Sequence, residues 1–288
     1  METIEKKENM LDYIKYFIEQ QQRLIGRSKT YTTVRTYKIR GKILTEFLTE
    51  KKLLEVKPKG ITIKLIREYD VFLRCKNYCN DYTMKCMQFL GRIMRAALEN
   101  GDIVNNPMEF YDFHYDRNKN VVYLDLEEIE KIKALNLNRN FAITRDIFLL
   151  CCYTGLCYVD IKNFNKKENI IIGPDKKKWI YIKRQKTKNE VYVPLLPEAE
   201  AILNFYGGDN LPVKSNTKMN TGLKVIAEKA SIKQNLTSHV GRKTFGNVLH
   251  NELNVPIETI SKIWGYKIFQ PLNYQIVKRK LKDDMKML

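Results

Sequence analysis

The spacing of the apolar residues changes along this chain of 288 residues, and the change limits the folds that it can adopt. In the first part, apolar side chains recur at steps of three and four, as at Leu11, Ile14 and Ile18, which predicts helices and no strands. Later the period becomes two, and turn residues separate three short segments, which predicts antiparallel strands. Helical spacing then returns for the rest of the chain. The sequence therefore predicts a mainly α protein with a small antiparallel β-sheet. The three predicted strands are Ile170–Ile172, Trp179–Ile182 and Glu190–Val193.

A polar and aromatic stretch over residues 113–122 has little periodic pattern and separates two regions of different character. A chain of this length suits two domains better than one core. We therefore expect an N-terminal helical bundle over residues 1–112, a linker over 113–122, and a second domain with the sheet over 123–288. Within the second domain, Phe141–Tyr153 reads as a buried helix that ends at Thr154-Gly155.

The chain is strongly basic, with 51 lysines and arginines against 33 acidic residues and a net charge of +18. Such an excess on a folded protein favours a polyanionic partner such as DNA, RNA or an anionic membrane surface, although plain solubility explains charge alone equally well. No stretch reaches the roughly 20 apolar residues of a membrane span, and the N-terminus has no signal-peptide core. We expect a cytoplasmic protein.

The last helix predicted in the first domain, which ends at Gly101, combines an apolar stripe with a second, largely basic face. Side chains at steps of three and four project together from a helix. Cations on such a face can contact DNA phosphates, and a glutamine can read a base edge, whereas the alternative is an ordinary solvated surface. The residues of this basic face are Lys85, Gln88, Arg92 and Arg95.

His239 and Arg242 are three residues apart on a predicted helix, so both side chains can reach one point. An arginine can donate two parallel hydrogen bonds to nonbridging phosphate oxygens and can neutralise the charge of a pentacovalent transition state. A histidine can accept the proton of an attacking hydroxyl. By itself this pair is a weak indication, because surface pairs of this kind are commoner.

Four separated motifs, in this order along the chain, resemble those of the tyrosine recombinases, the phage integrase family. The helices of the first domain are also similar to the core-binding, SAM-like domain of that family, so the resemblance covers nearly the whole chain. The first motif, Cys152–Leu156, resembles the first box of the family, and Asp160 falls on the acidic position of that box. The second, Gln185–Lys188, resembles the hairpin that carries the catalytic lysine, and the third, Thr237–Gly246, resembles the second box. The fourth, Val255–Tyr266, is similar to the stretch that ends in Leu-Gly-His, and Tyr274 follows it at nearly the interval of the family's nucleophile.

This resemblance implies a site-specific DNA recombinase or integrase that works through a 3′-phosphotyrosine intermediate. Tyr274 would attack the scissile phosphate, and Lys186 would protonate the departing 5′ oxygen. Arg242 would clamp the phosphate with the help of His239. The resemblance needs no metal and no other cofactor, because the phosphotyrosine linkage conserves the energy of the broken bond.

The resemblance also implies partners. Double-stranded DNA would be contacted by the basic face of the first domain and by Lys188 and Lys243 of the second. We expect a homotetramer on paired sites and a monomer or dimer without DNA, in the bacterial cytoplasm at the nucleoid and not at a membrane. The resemblance leaves no room for an additional N-terminal arm-binding domain.

The first departure from the family pattern is at Cys157, where the first box normally ends in an arginine. A neutral thiol cannot clamp a phosphate, and loss of one charge at the transition state costs on the order of 2.7–4 kcal/mol. Some recombinases of mobile elements lack this arginine as well. The candidate replacements in this chain are Arg139, Arg145 and Arg184.

The second departure is at Tyr266, where the family usually has histidine or tryptophan. A phenol can donate one hydrogen bond to a phosphate oxygen, and we include Tyr266 among the candidate catalytic residues, although it carries no charge. The interval from Tyr266 to Tyr274 is also about one residue short. An alternative function is therefore a DNA-binding accessory or regulatory protein that has lost catalysis. A helical RNA-binding or scaffold protein would require all four motif matches to be chance.

Overall fold

The computed structural model describes residues 8–116, 121–184 and 189–264. The chain divides into two compact units between Lys119 and Asn120, within the segment 113–122 that the sequence predicts as a linker. The described residues are mostly helical and include one three-stranded antiparallel sheet, which confirms the predicted fold class. No helix in these ranges is both long and apolar enough to cross a membrane.

The first unit is a bundle of four helices around one apolar core. Asn9 and Asp12 form a capping box at the start of the first helix, each accepting a hydrogen bond from the other's backbone N–H. The fourth helix contributes Met84, Met87 and Met94 to the core, where all three are fully buried. The helices are α1 (Met10–Arg23), α2 (Tyr31–Glu50), α3 (Ile63–Cys75) and α4 (Asn80–Glu99), with 3₁₀ turns at Pro58–Gly60 and Pro107–Phe110.

The second unit contains eight further α-helices among its described residues and the sheet. Two of these helices, α7 and α8, are too short to give a periodic signal, and the sequence did not predict them. The elements are α5 (Leu126–Lys133), α6 (Arg139–Thr154), α7 (Tyr158–Lys162), α8 (Lys166–Asn169), β1 (Ile170–Ile172), β2 (Lys178–Lys183), β3 (Glu190–Pro194), α9 (Pro197–Phe205), α10 (Asn216–Lys229), α11 (Ser238–Asn247), a π-helical turn (Val248–Glu252) and α12 (Ile257–Ile263).

The sheet has the order β1-β2-β3, and both neighbouring pairs are antiparallel. Ile180 in the central strand lies opposite Ile170 on one side and Val193 on the other. Val191 and Val193 of β3 are buried in alternation, as the period of two requires for a sheet with one covered face, and Ile180 and Ile182 of β2 follow the same alternation, although Trp179 is buried as well. This buried face joins the apolar cluster that contains Ile147 and Leu150 of α6.

Helix α6 runs through the middle of the second unit, and apolar clusters cover it on two sides. Its other apolar face packs with α10 and α11 in a second cluster, which explains why the helix is apolar nearly all round. It ends at Gly155, whose φ of 65° is the left-handed conformation that favours glycine. At Gly241 of α11, an added Cβ would lie 2.8 Å from the Cβ of Cys151, so glycine allows the two helices to approach closely.

Candidate active site

Arg242 lies on α11 where this helix packs against the C-terminal end of α6. Its Nη1 donates a hydrogen bond of 2.6 Å to the carbonyl oxygen of Gly155, and its Nη2 donates one of 2.9 Å to the carbonyl oxygen of Trp264. The guanidinium carbon is 5.2 Å from the centroid of the Trp264 ring. Only 7% of the residue is exposed, so Arg242 is a fixed, buried cation and not a solvated surface residue.

His239 lies one helical turn before Arg242 and is exposed. Partial desolvation lowers the pKa of its imidazole below the ordinary value of 6.5, and the positive charges of Lys243 and Arg242 lower the pKa further. The ring is therefore neutral at pH 7 and able to accept a proton. Helix α11 thus holds His239 close enough to Arg242 and to the half-buried Lys243 for their positive charges to act on its imidazole.

Cys157 and Asp160 lie just beyond the end of α6, in the first turn of α7. The Oδ2 atom of Asp160 accepts hydrogen bonds from the backbone N–H of Cys157 at 3.3 Å and from its Sγ at 3.0 Å. Burial raises the pKa of the Cys157 thiol, and the hydrogen bond to Asp160 raises it further. The thiol therefore stays protonated, and it brings no charge to the position of the family's first-box arginine.

A third donor reaches the same carboxylate oxygen from the sheet. The Nη1 of Arg184 lies 2.6 Å from Oδ2 of Asp160, and the two side chains are only 9% and 3% exposed. Arg184 directly follows β2, and its backbone N–H donates a bond of 2.9 Å to the carbonyl oxygen of Asn189. The acidic residue of the first box is therefore paired with a cation from the β2–β3 hairpin.

The other two candidate replacements for the missing arginine lie elsewhere. Arg145 donates through Nε to Asp146 at 2.8 Å and through Nη1 to the carbonyl oxygen of Leu135 at 2.8 Å. It lies on α6 about 15 Å along the helix axis before Gly155, since each helical residue rises about 1.5 Å. Arg139 is farther still, in the first turn of α6. Of the three, Arg184 alone contacts the first box.

Gly155 connects the two halves of this cluster. Its carbonyl oxygen holds Arg242, and Cys157 follows two residues later, a chain distance of at most about 7 Å. Burial raises the pKa of Cys151 to about 12; the carboxylate of Asp160 acts in the same direction, and the positive charge of Arg242 opposes it. The C-terminal end of α6 therefore has one arginine from α11 and one from the sheet beside it.

Four sequence-predicted residues lie outside the described residues. They are Lys186, the candidate general acid for the departing 5′ oxygen; Lys188, a candidate DNA contact; Tyr266, the candidate hydrogen-bond donor to a phosphate oxygen; and Tyr274, the candidate nucleophile. Their roles remain predictions from the sequence.

The first unit matches a known domain family. Residues 9–115 match the family model described as the phage integrase SAM-like domain. No match was found among curated protein sequences.

Solved structures of similar fold span both units. The Tn1549 transposon integrase in complex with a circular intermediate DNA is 13% identical, with 98% of this chain and 100% of that chain covered and a TM-score of 0.70. A lambda integrase tetramer bound to a Holliday junction is 15% identical over 92% of this chain and 76% of that one, with a TM-score of 0.72. Lambda integrase bound to DNA is 14% identical over 96% of this chain and 97% of that one, with a TM-score of 0.69.

The chain combines a phage integrase SAM-like domain with the tyrosine recombinase fold. At these identities the structural likeness establishes the fold alone. The fixed arginine of α11, the acidic residue of α7 and the β2–β3 pair of strands all belong to the second unit.

The SAM-like domain exposes all four residues of its basic face on α4: Lys85, Gln88, Arg92 and Arg95. Two of them are held by aromatic residues that sequence reasoning missed. Arg92 donates a hydrogen bond to the hydroxyl of Tyr37 and lies 5.3 Å from the centroid of its ring. Gln88 donates to the hydroxyl of Tyr115, in the aromatic stretch after the bundle. These contacts restrict side chains that would otherwise be freely solvated.

Proposed function

We propose that this protein is a site-specific DNA recombinase that breaks and rejoins DNA through a 3′-phosphotyrosine intermediate. The observation that carries the proposal is the buried Arg242, held by two backbone carbonyl groups beside a neutral His239. The fold adds support, since the similar integrases were solved in complex with DNA. A guanidinium that is fixed before substrate arrives suits electrostatic stabilisation of a phosphorane-like transition state.

The reaction would proceed by in-line displacement at one phosphorus atom. The phenol oxygen of Tyr274 attacks the phosphorus, the bond to the 5′ oxygen breaks, and the 3′ phosphate becomes bound to tyrosine. The phenol proton passes to His239, and Lys186 gives a proton to the departing 5′ oxygen, which leaves as a hydroxyl. Arg242 neutralises the added charge on the nonbridging oxygens. Attack by a 5′ hydroxyl of another strand reverses these steps and reseals the DNA.

The assembly follows from the need to exchange two pairs of strands. We infer a homotetramer on two paired sites, and a monomer or dimer without DNA. A lambda integrase tetramer bound to a Holliday junction, one of the similar structures, supports this inference. Since the substrate is DNA, we expect the protein to act at the nucleoid in the bacterial cytoplasm.

Covalent capture of DNA tests the proposal without knowledge of the target sequence. The purified protein is incubated with nicked duplexes that have a randomised central segment, so that a cleaved short fragment diffuses away and resealing fails. We expect DNA that resists SDS to be recovered with the protein and to converge on one sequence. Peptide mapping should place the linkage on a tyrosine.

The alternative is a DNA-binding accessory protein, and the neutral thiol of Cys157 is the observation that favours it. Sequence-selective DNA binding with no covalent product from the same library would support this alternative and overturn the recombinase proposal. Absence of both would revive the third interpretation, a helical RNA-binding or scaffold protein.

The basic face of α4 should make DNA affinity depend on salt. Each phosphate contact contributes close to one unit to the slope of log K against log salt. We therefore expect Lys85→Ala and Arg95→Ala each to weaken binding and to reduce the slope by about 1. Titrations at several salt concentrations would measure both effects. Lys57→Ala, an exposed lysine outside α4, is the matched control. Equal slopes for all variants would contradict the assignment of this face.

A further inference from the structure

We propose that Arg184 supplies the positive charge that the first box lacks, and that its guanidinium binds a nonbridging oxygen of the scissile phosphate. The inference rests on the proposed recombinase function and adds a catalytic residue to it. It assigns to the β2–β3 hairpin a role that the family pattern gives to the position of Cys157.

The guanidinium of Arg184 is only partly hydrogen-bonded. Its Nη1 is bonded to Asp160, whereas its Nε and Nη2 are buried and have no hydrogen-bond partner among the described residues. A buried N–H without an acceptor is costly, and here both belong to a group that is always charged. The residue itself is 7% exposed. An acceptor that arrives with the substrate would remove this cost.

The two unpartnered nitrogen atoms lie on the same edge of the guanidinium. Nε–H and the N–H of Nη2 that runs parallel to it form one edge of the planar guanidinium, and this edge matches two oxygens of a phosphate. Asp160 occupies the other end of the same group and so fixes its orientation. The bidentate edge therefore remains for a second, anionic acceptor.

The guanidinium of Arg184 lies beside the position at which the family pattern has its first-box arginine. Asp160 accepts hydrogen bonds from Arg184 and from Cys157, so the guanidinium lies at the residue whose charge is missing. Gly155, two residues before Cys157, holds Arg242 through its carbonyl oxygen. Arg184 and Arg242 are thus both hydrogen-bonded to the same short segment, residues 155–160. Arg184 also lies two residues before Lys186 in the sequence.

The test compares adduct formation by the wild type and by Arg184→Ala on the captured DNA sequence, under single-turnover conditions. We expect the variant to be slower by about 10²–10³-fold. A second substrate has a methylphosphonate at the scissile position, which replaces one charged oxygen by a methyl group. Because this substrate needs less neutralising charge, we expect the loss caused by Arg184→Ala to shrink strongly on it. An equal loss on both substrates would mean a purely structural ion pair and would overturn the inference.

Removal of Arg184 leaves Asp160 buried without its cation and can destabilise the protein. A second variant that restores the cation therefore separates an effect on folding from an effect on cleavage. Adding Cys157→Arg to Arg184→Ala returns a guanidinium to the same carboxylate. We expect the double variant to regain both melting temperature and cleavage. A folded double variant that stays as slow as the single one would overturn the inference.

Arg145→Ala is the matched control, since Arg145 is also a well-bonded arginine of the second unit. It should lower the melting temperature and leave the cleavage rate of the folded protein unchanged. The two proposals fail separately in this design. No adduct from the wild type overturns both, whereas wild-type cleavage with an equally fast, folded Arg184→Ala overturns only the assignment of Arg184.

Discussion

Tyr274→Phe should form no covalent adduct with DNA, while its affinity for the same DNA stays within a few-fold of the wild type. Phenylalanine keeps the ring and removes the hydroxyl oxygen of Tyr274, so a nucleophile at this position has no residual route to the covalent adduct. Adduct formation on the captured sequence, read on a denaturing gel, measures the first effect. A mobility-shift titration at fixed salt measures the second.

Tyr266→Phe is the matched control for this experiment. Both tyrosines follow α12 in the sequence, and the interval on which the assignment of Tyr274 as the nucleophile rests is about one residue short. If Tyr266 only donates a hydrogen bond to a phosphate oxygen, its loss slows cleavage but leaves the adduct detectable. An adduct that survives Tyr274→Phe and disappears in Tyr266→Phe would move the nucleophile to Tyr266.

Arg242→Ala should abolish measurable cleavage and also lower the melting temperature, while largely sparing DNA binding. Loss of the phosphate clamp slows the reaction by about 10²–10³-fold or more. The stability loss arises because the carbonyl oxygens of Gly155 and Trp264 lose their charged donor, at a cost of about 1–3 kcal/mol for each group left unsatisfied. Single-turnover cleavage and thermal unfolding would measure the two effects.

Arg242→Lys separates charge from geometry. Lysine keeps the positive charge but is a point donor without the planar fork, so it cannot bond both carbonyl groups and a phosphate in the same arrangement. We expect cleavage well below the wild type even where the variant is fully folded. Wild-type cleavage by the lysine variant would show that charge alone suffices and that the fixed fork is irrelevant.

The sequence predicted much of the secondary structure, because helices and strands depend on the local spacing of apolar residues. The three strands begin and end within about one residue of their predicted limits. The buried helix ends at Gly155, as the Thr-Gly pair indicated, because glycine adopts the left-handed conformation there without a Cβ clash. The sequence predicts one continuous helix from Ser238 to Asn251, which corresponds to α11. It changes to a π-helical turn at Val248, which no local pattern marked.

The candidate site was less predictable, because its contacts join residues far apart in the sequence. The motifs singled out Asp160, but its partner Arg184 is 24 positions away and was one of three candidate arginines. Arg242 was predicted as a phosphate ligand, whereas its contacts with Gly155 and Trp264 depend on how α11 packs. A pattern can name charged residues, but only packing decides which charges meet.

The geometry around Arg242 depends on Gly155, which contributes through its backbone, because its carbonyl oxygen accepts a hydrogen bond from Arg242. A Cβ at this position would lie 2.4 Å from Cδ1 of Phe245, and the φ of 65° is itself unfavourable for other residues. No change of side chain at Cys157 can remove the carbonyl group that orients Arg242. A family signature that insists on arginine at that position would therefore discard chains whose scaffold is intact. A signature built on the left-handed glycine would retain them.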